Sequence, residues 1–125
     1  MKQHTSRFLN LVTESKKRIK EISSDVLREK MNQQEPMCLV DIREDSEWSS
    51  GHIPGAIHLS KGIIERDIEK LIPDINAPIV VYCSGGFRGA LVADALQTMG
   101  YQNVTSLSDG TQGWTNAGYP LEKMS

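Results

Sequence analysis

Cysteine is scarce in this chain: 125 residues hold two, Cys38 and Cys83. Two thiols close at most one bridge. Both lie in or directly after apolar runs, so no disulfide framework is expected. A reducing, cytoplasmic setting is the matching expectation. Long hydrophobic runs are missing too, which excludes a membrane-spanning helix. The first residues lack the apolar stretch and small-residue cleavage site of a secretory signal. No Gly-x-Ser-x-Gly elbow occurs, so Ser84 is not read as a hydrolase nucleophile. No Gly-Lys-Ser/Thr follows Gly85-Gly86, so that pair is not read as a nucleotide loop. Neither an internal repeat nor a low-complexity segment is present.

What is there suits one globular domain. The length is enough to bury a core, and 38% hydrophobic with 24% charged residues is ordinary for a folded chain. A net charge of −2 hides an asymmetry. Residues 1–20 carry six basic residues against one acid, Glu14, leaving eight basic and fifteen acidic residues beyond. An acidic body disfavours nucleic acid as a partner. The basic start reads as a solvated helix face, although its poverty in acids also fits a targeting segment.

The stretch around which the rest is arranged is Ile79-Val80-Val81-Tyr82-Cys83-Ser84-Gly85-Gly86-Phe87-Arg88-Gly89-Ala90. An apolar run ends on a cysteine, and six residues lead from it into helical spacing. This pattern predicts a buried strand, a tight glycine-bearing loop and a helix N-terminus. Backbone N–H groups in such a loop turn inward, and the helix end adds partial positive charge. Thiols in such cradles ionise more readily than free ones. Cys83 is therefore the candidate nucleophile, with Ser84 to Gly89 as the cradle for an anionic group and Arg88 adding a full charge. Cys38, within Met37-Cys38-Leu39-Val40, reads as a small core hydrophobe.

Taken in order, residues 5–18 predict a helix with Phe8, Leu11, Val12 and Ile19 as its apolar stripe and Thr5 or Ser6 as cap. This segment, residues 1–18, reads as an extension that packs back on the domain or on a second copy. The domain proper is read over 19–125. Ile19 to Ile22 suits a short edge strand. Ser23 or Ser24 caps a helix to about Asn32, with Val26, Leu27 and Met31 turned inward. Met37 to Ile42 is a continuous apolar run, as in a strand covered on both faces. Glu44 to Ser50 predicts a helical turn with Trp48 on the body, Ile57 to Leu59 a short strand, and Ile63 to Leu71 a helix. Phe87 to Met99 predicts a helix whose apolar face is Leu91, Val92, Ala95, Leu96 and Met99, ended by Gly100. Val104 to Leu107 is the last strand, and Asp109-Gly110-Thr111-Gln112-Gly113-Trp114 opens a final short helix. Strands alternating with helices predict an α/β fold with a mainly parallel sheet. In such sheets ligands bind beyond the strands' carboxyl ends, where the Cys83 loop lies.

The remaining candidates read as structure. His52 and His58 with Cys83 match no zinc spacing, so the histidines, His4 included, are taken as turn and surface residues. Asp41 and Arg43, with Glu44 and Glu47 near, are taken as ion pairs that pin loops.

Four stretches together resemble the rhodanese-like family of sulfurtransferases. Asp41-Ile42-Arg43 is similar to the family's Asp-x-Arg strand end. Glu47 followed by Gly51-His52-Ile53-Pro54-Gly55-Ala56 is similar to its Glu…Gly-His-Ile-Pro-Gly-Ala signature. Cys83 to Arg88 is similar to its Cys-x4-Arg active loop. Gly110, Gly113 and Trp114 are similar to its C-terminal Gly-Gly-x-x-x-Trp region, with Thr111 where a second adjacent glycine is usual. The resemblance spans residues 19–121. It implies a three-layer fold, a five-stranded, mainly parallel central sheet flanked by helices. It implies sulfane-sulfur transfer through a Cys83 persulfide, loaded by a small sulfur-donor anion or a persulfide and discharged to a thiol, cyanide or a protein acceptor. No cofactor or metal is implied. The substrate-binding residues it implies are Ser84, Gly85, Gly86, Phe87, Arg88 and Gly89.

The departures bear on the donor. Ser84 stands where thiosulfate-using members often carry arginine, Gly89 where serine or alanine is common, and Phe87 puts a ring at the loop rim. The loop thus carries less positive charge, which brings a persulfide or a partner protein forward beside thiosulfate as donor. Related phosphatases use Cys-x5-Arg, one residue longer, so a phosphatase or arsenate reductase is the lesser enzyme alternative. The alternative of another class is a non-catalytic binding or regulatory module, against which the retained cysteine stands.

Overall fold

The computed structural model describes residues 4–123. Five strands form one sheet: β1 (Lys20–Ile22), β2 (Cys38–Asp41), β3 (Ile57–His58), β4 (Ile79–Tyr82) and β5 (Val104–Leu107). Their order is β1-β5-β4-β2-β3, and every pairing between them is parallel. Between and around them run α1 (Ser6–Lys16), α2 (Ser24–Asn32), α3 (Asp45–Ser50), α4 (Ile64–Leu71), α5 (Phe87–Thr98) and α6 (Gly110–Asn116). The predicted α/β architecture is therefore the observed one.

The two faces of the sheet have separate cores. One gathers Val40, Ile42, Ile64, Ile68, Val81, Val92 and Leu96. The other gathers Leu27, Leu39, Ile53, Val80, Tyr82, Leu107 and Trp114. Alternate residues of β2 and β4 go to opposite faces, as the pleat requires. All four residues of β4 are buried, which explains its unbroken apolar sequence.

Local signals worked where the chemistry is local. The Ser23 hydroxyl accepts the Val26 N–H at 3.3 Å and caps α2. Gly100, at φ +107°, ends α5 as expected. Several burial assignments need correction. Val26 and Leu11 are 44% and 56% exposed, because α2 and α1 each turn one narrow stripe inward. On α1 the buried residues are Val12 and Ser15, and the Ser15 hydroxyl donates to Asp94 on α5 at 3.0 Å. Arg18 grips the same carboxylate at 2.6 Å, so α1 is fastened to the outer side of α5. Covered by both α1 and the sheet, α5 buries Gly89, Ala90, Val92, Ala93 and Leu96 instead of a single apolar face. Cys38 is only half-buried and packs at the edge of a core.

Candidate active site

Cys83 follows directly on β4 and is buried beneath the loop that leads to α5. That loop is shaped by two glycines. Gly86 adopts φ +95°, and a Cβ there would run into the Ser108 carbonyl. Gly110 adopts φ +57°, and a Cβ there would run into the Cys83 and Ser84 carbonyls. The first turn of α6 meets those same carbonyls: Thr111 N–H donates to Cys83 O and Gln112 N–H to Ser84 O, both at 3.0 Å. Carbonyls of the loop thus face α6, and amides face the thiol. The Gly86 N–H donates to Cys83 Sγ at 3.1 Å and the Gly89 N–H at 3.3 Å. Of the six cradle residues named from the sequence, these two supply the bonds to sulfur found here.

Arg88 does something other than face an empty cradle. Its Nη1 and Nη2 donate to the two carboxylate oxygens of Glu47, at 2.8 and 3.1 Å. Ser84 Oγ donates to Glu47 at 2.9 Å and accepts from Arg88 Nη2 at 3.1 Å. The hydrogen bond from Arg88 holds the Glu47 carboxyl down at about 2, against burial that works the other way. Arg88 is raised in turn, chiefly by Glu47. The pair is close to neutral as a unit. The sequence reading groups Glu47 with Asp41 and Arg43; in the structure it bonds Ser84 and Arg88 of the Cys83 loop instead. Arg43 instead bonds Asp41 at 2.8 Å and the Gly51 carbonyl at 2.6 Å, a buried brace beneath the loop after α3.

The histidines also need correction. His52 is 6% exposed and stacks on Trp48 at 3.6 Å, with His58 stacked on the same indole at 4.9 Å. The sequence pattern around Gly51-His52-Ile53-Pro54 reads as a turn, which hides that both rings stack on Trp48.

An open cleft of about 1390 Å³ lies over Cys83. Cys83, Ser84, Gly85, Phe87 and Arg88 line it from the loop and the start of α5, Glu44 and Glu47 from the start of α3, and Gln112 from α6. The rest of the lining comes from the N-terminal segment: His4, Thr5 and Phe8. The His4 ring meets Phe87 at 4.6 Å and Phe8 at 5.2 Å. The sequence offered one weak signal for this lining, a histidine just before α1 and an aromatic four residues on, in its first turn. Among the described residues no cluster of three or more His, Cys, Asp or Glu could hold a metal ion. No helix among them is long and apolar enough to cross a membrane.

A family model described as "Rhodanese-like domain" matches residues 23–117. The thiosulfate sulfurtransferase GlpE of Haemophilus influenzae is 35% identical over 71% of this chain and 83% of its own. The Bacillus subtilis protein YrkF is 29% identical over 82% of the chain, which spans about half (55%) of that relative's length. Among solved structures, RPA3614 of Rhodopseudomonas palustris, described as a possible tyrosine phosphatase, superposes with TM-score 0.84 and 28% identity over 98% of this chain and 99% of its own.

Proposed function

The chain belongs to the rhodanese-like domain family, and from that premise we propose that it is a sulfurtransferase working through a persulfide on Cys83. The thiolate attacks the outer sulfur of a donor. With thiosulfate, a Cys83–S bond forms, the donor's S–S bond breaks, and sulfite leaves with the electron pair. A thiophilic acceptor such as cyanide, a thiol or a protein thiol then removes the outer sulfur and returns the thiolate. Charge on sulfur is stabilised throughout by fixed amides, with no reorganisation needed at the moment of transfer. Ser84, Gly85, Gly86, Phe87, Arg88 and Gly89 are the proposed binding residues. A reducing compartment, as in cytoplasm, keeps Cys83 free for this chemistry.

The observation that carries the proposal is the pair of N–H donors, Gly86 and Gly89, on a buried Sγ at the carboxyl end of the central strand. The likeness to RPA3614 keeps a phosphatase as a second reading. Only four residues separate Cys83 from Arg88, a cradle suited to one sulfur atom. Intact mass after incubation with thiosulfate, or with a small persulfide, tests the proposal. A gain of one sulfur atom that cyanide removes, absent from Cys83→Ser, is the expected result. Equal gain in the serine variant, or no gain with either donor, overturns it. Hydrolysis of p-nitrophenyl phosphate by an unloadable protein would establish the second reading.

A further inference from the structure

The floor of the cleft and its mouth differ in chemistry. The floor presents amides to one sulfur atom. The mouth presents rings and a carboxylate. Of the described residues lining the cleft, Arg88 is the one with a guanidinium or ammonium group, and Glu47 holds it at two points. Lys16 comes near, 5.8 Å from the centroid of Phe87, but its ammonium pairs with Glu21 at 3.2 Å. Glu44 also lines the cleft, is exposed and accepts the Glu47 N–H in a capping box; among the described residues no ion pair joins it to Arg88, although its charge still acts on that guanidinium. The rings of His4, Phe8 and Phe87 line the same cleft and meet one another.

We infer that this mouth selects a sulfane-sulfur donor whose organic tail is uncharged or bears an amine, and turns away donors with an anionic tail. The inference rests on the reading of Cys83 as sulfur carrier and specifies its substrate class: short alkyl persulfides, the amine-bearing ones first. Aromatic faces carry negative quadrupole charge and attract ammonium groups. They also favour contact with the divalent sulfur of a thioalkyl chain. Glu44 adds a full negative charge to the same cleft. A carboxylate or sulfonate tail meets repulsion from both the rings and Glu44, whereas an aminoethyl tail is attracted by both. The transfer balances without another reagent. Cys83 Sγ bonds the outer sulfur of R–S–SH, the donor S–S bond breaks, R–S⁻ leaves with the electron pair, and the transferred sulfur keeps its proton.

The test compares 2-aminoethyl persulfide with 2-carboxyethyl persulfide, two donors of similar reach and opposite charge. Each kcat/KM is divided by that donor's rate with a free small thiol, which removes intrinsic reactivity. The expected ratio favours the amine at least fivefold, falls as salt rises, and shrinks at least twofold in Glu44→Gln and in Phe8→Leu. Glutamine keeps the capping oxygen and leucine keeps the bulk, so both variants should fold. The salt series needs no variant at all. A ratio within twofold of one, or one favouring the carboxylate, overturns the inference while loading of Cys83 by both donors upholds the sulfurtransferase. Loading by neither overturns both.

Discussion

Glu47 and Arg88, 41 residues apart in sequence, meet as a two-point ion pair that closes the wall of the Cys83 cleft. Ser84 bridges them. The pair binds α3 to the first turn of α5. Glu47 raises Arg88 most, and Cys83 acts on the same guanidinium, so its charge is shared between the ion pair and the cradle.

Replacing Glu47 by glutamine should make stability less dependent on acid. A carboxyl held at about 2 in the fold, against 4.5 ordinarily, stabilises fully above about pH 4.5 and loses that stabilisation as pH falls through about 2. Both side chains are about a third exposed, so the contribution is on the order of 1 kcal/mol after screening. Urea unfolding of wild type and Glu47→Gln at a series of pH values should show a gap at pH 6 that closes toward pH 2. A gap that stays constant with pH would contradict this account.

Thiosulfate use should move in opposite directions in two variants. Arg88→Ala leaves the Glu47 carboxylate without its partner beside an anion site, and the thiosulfate KM should rise about tenfold, one order of magnitude being about 1.4 kcal/mol. Glu47→Gln keeps an acceptor for Arg88 but leaves its charge unbalanced, and the KM should fall severalfold. Steady-state kinetics with cyanide as acceptor reads both. Changes of the same sign would show that the pair only holds the loop in shape.

Gly110→Ala should damage fold and site together. Its φ of +57° strains any side chain, and the new Cβ would strike the carbonyls of Cys83 and Ser84 that α6 must bind. A loss of about 2 kcal/mol or more is expected by chemical denaturation, with slower loading of Cys83 in the fraction that folds. Unchanged stability would mean the loop can retreat from α6 without cost.

Ser106 tests the fit behind the nucleophile. Its buried hydroxyl has no hydrogen-bond partner among the described residues and lies 2.9 Å from where a Cβ on Gly89 would sit. Ser106→Ala should be neutral or stabilising by up to about 1 kcal/mol, since it removes an unsatisfied polar group. Gly89→Ala alone should cost about 1–3 kcal/mol through overpacking. The double variant should recover at least half of that cost. Additive effects of the two changes would deny the contact.

The sequence by itself determined the element order, the parallel sheet and the place of Cys83. Those rest on short-range rules: apolar runs of four residues, helical spacing, a Ser23 cap, and glycine where φ is positive. It also carried the resemblance, because its motifs are contiguous. Only the tertiary structure decided which charges meet. Glu47 stands four residues from Arg43 in sequence yet pairs with Arg88, because α3 turns it toward the neighbouring strand's loop. The same holds for α1, whose apolar spacing could not say which surface it would cover. Ser15 and Arg18 fasten it to Asp94, and that anchoring brings His4 and Phe8 over Cys83. Pairing energy depends on distance in space, and separation along the chain does not encode it.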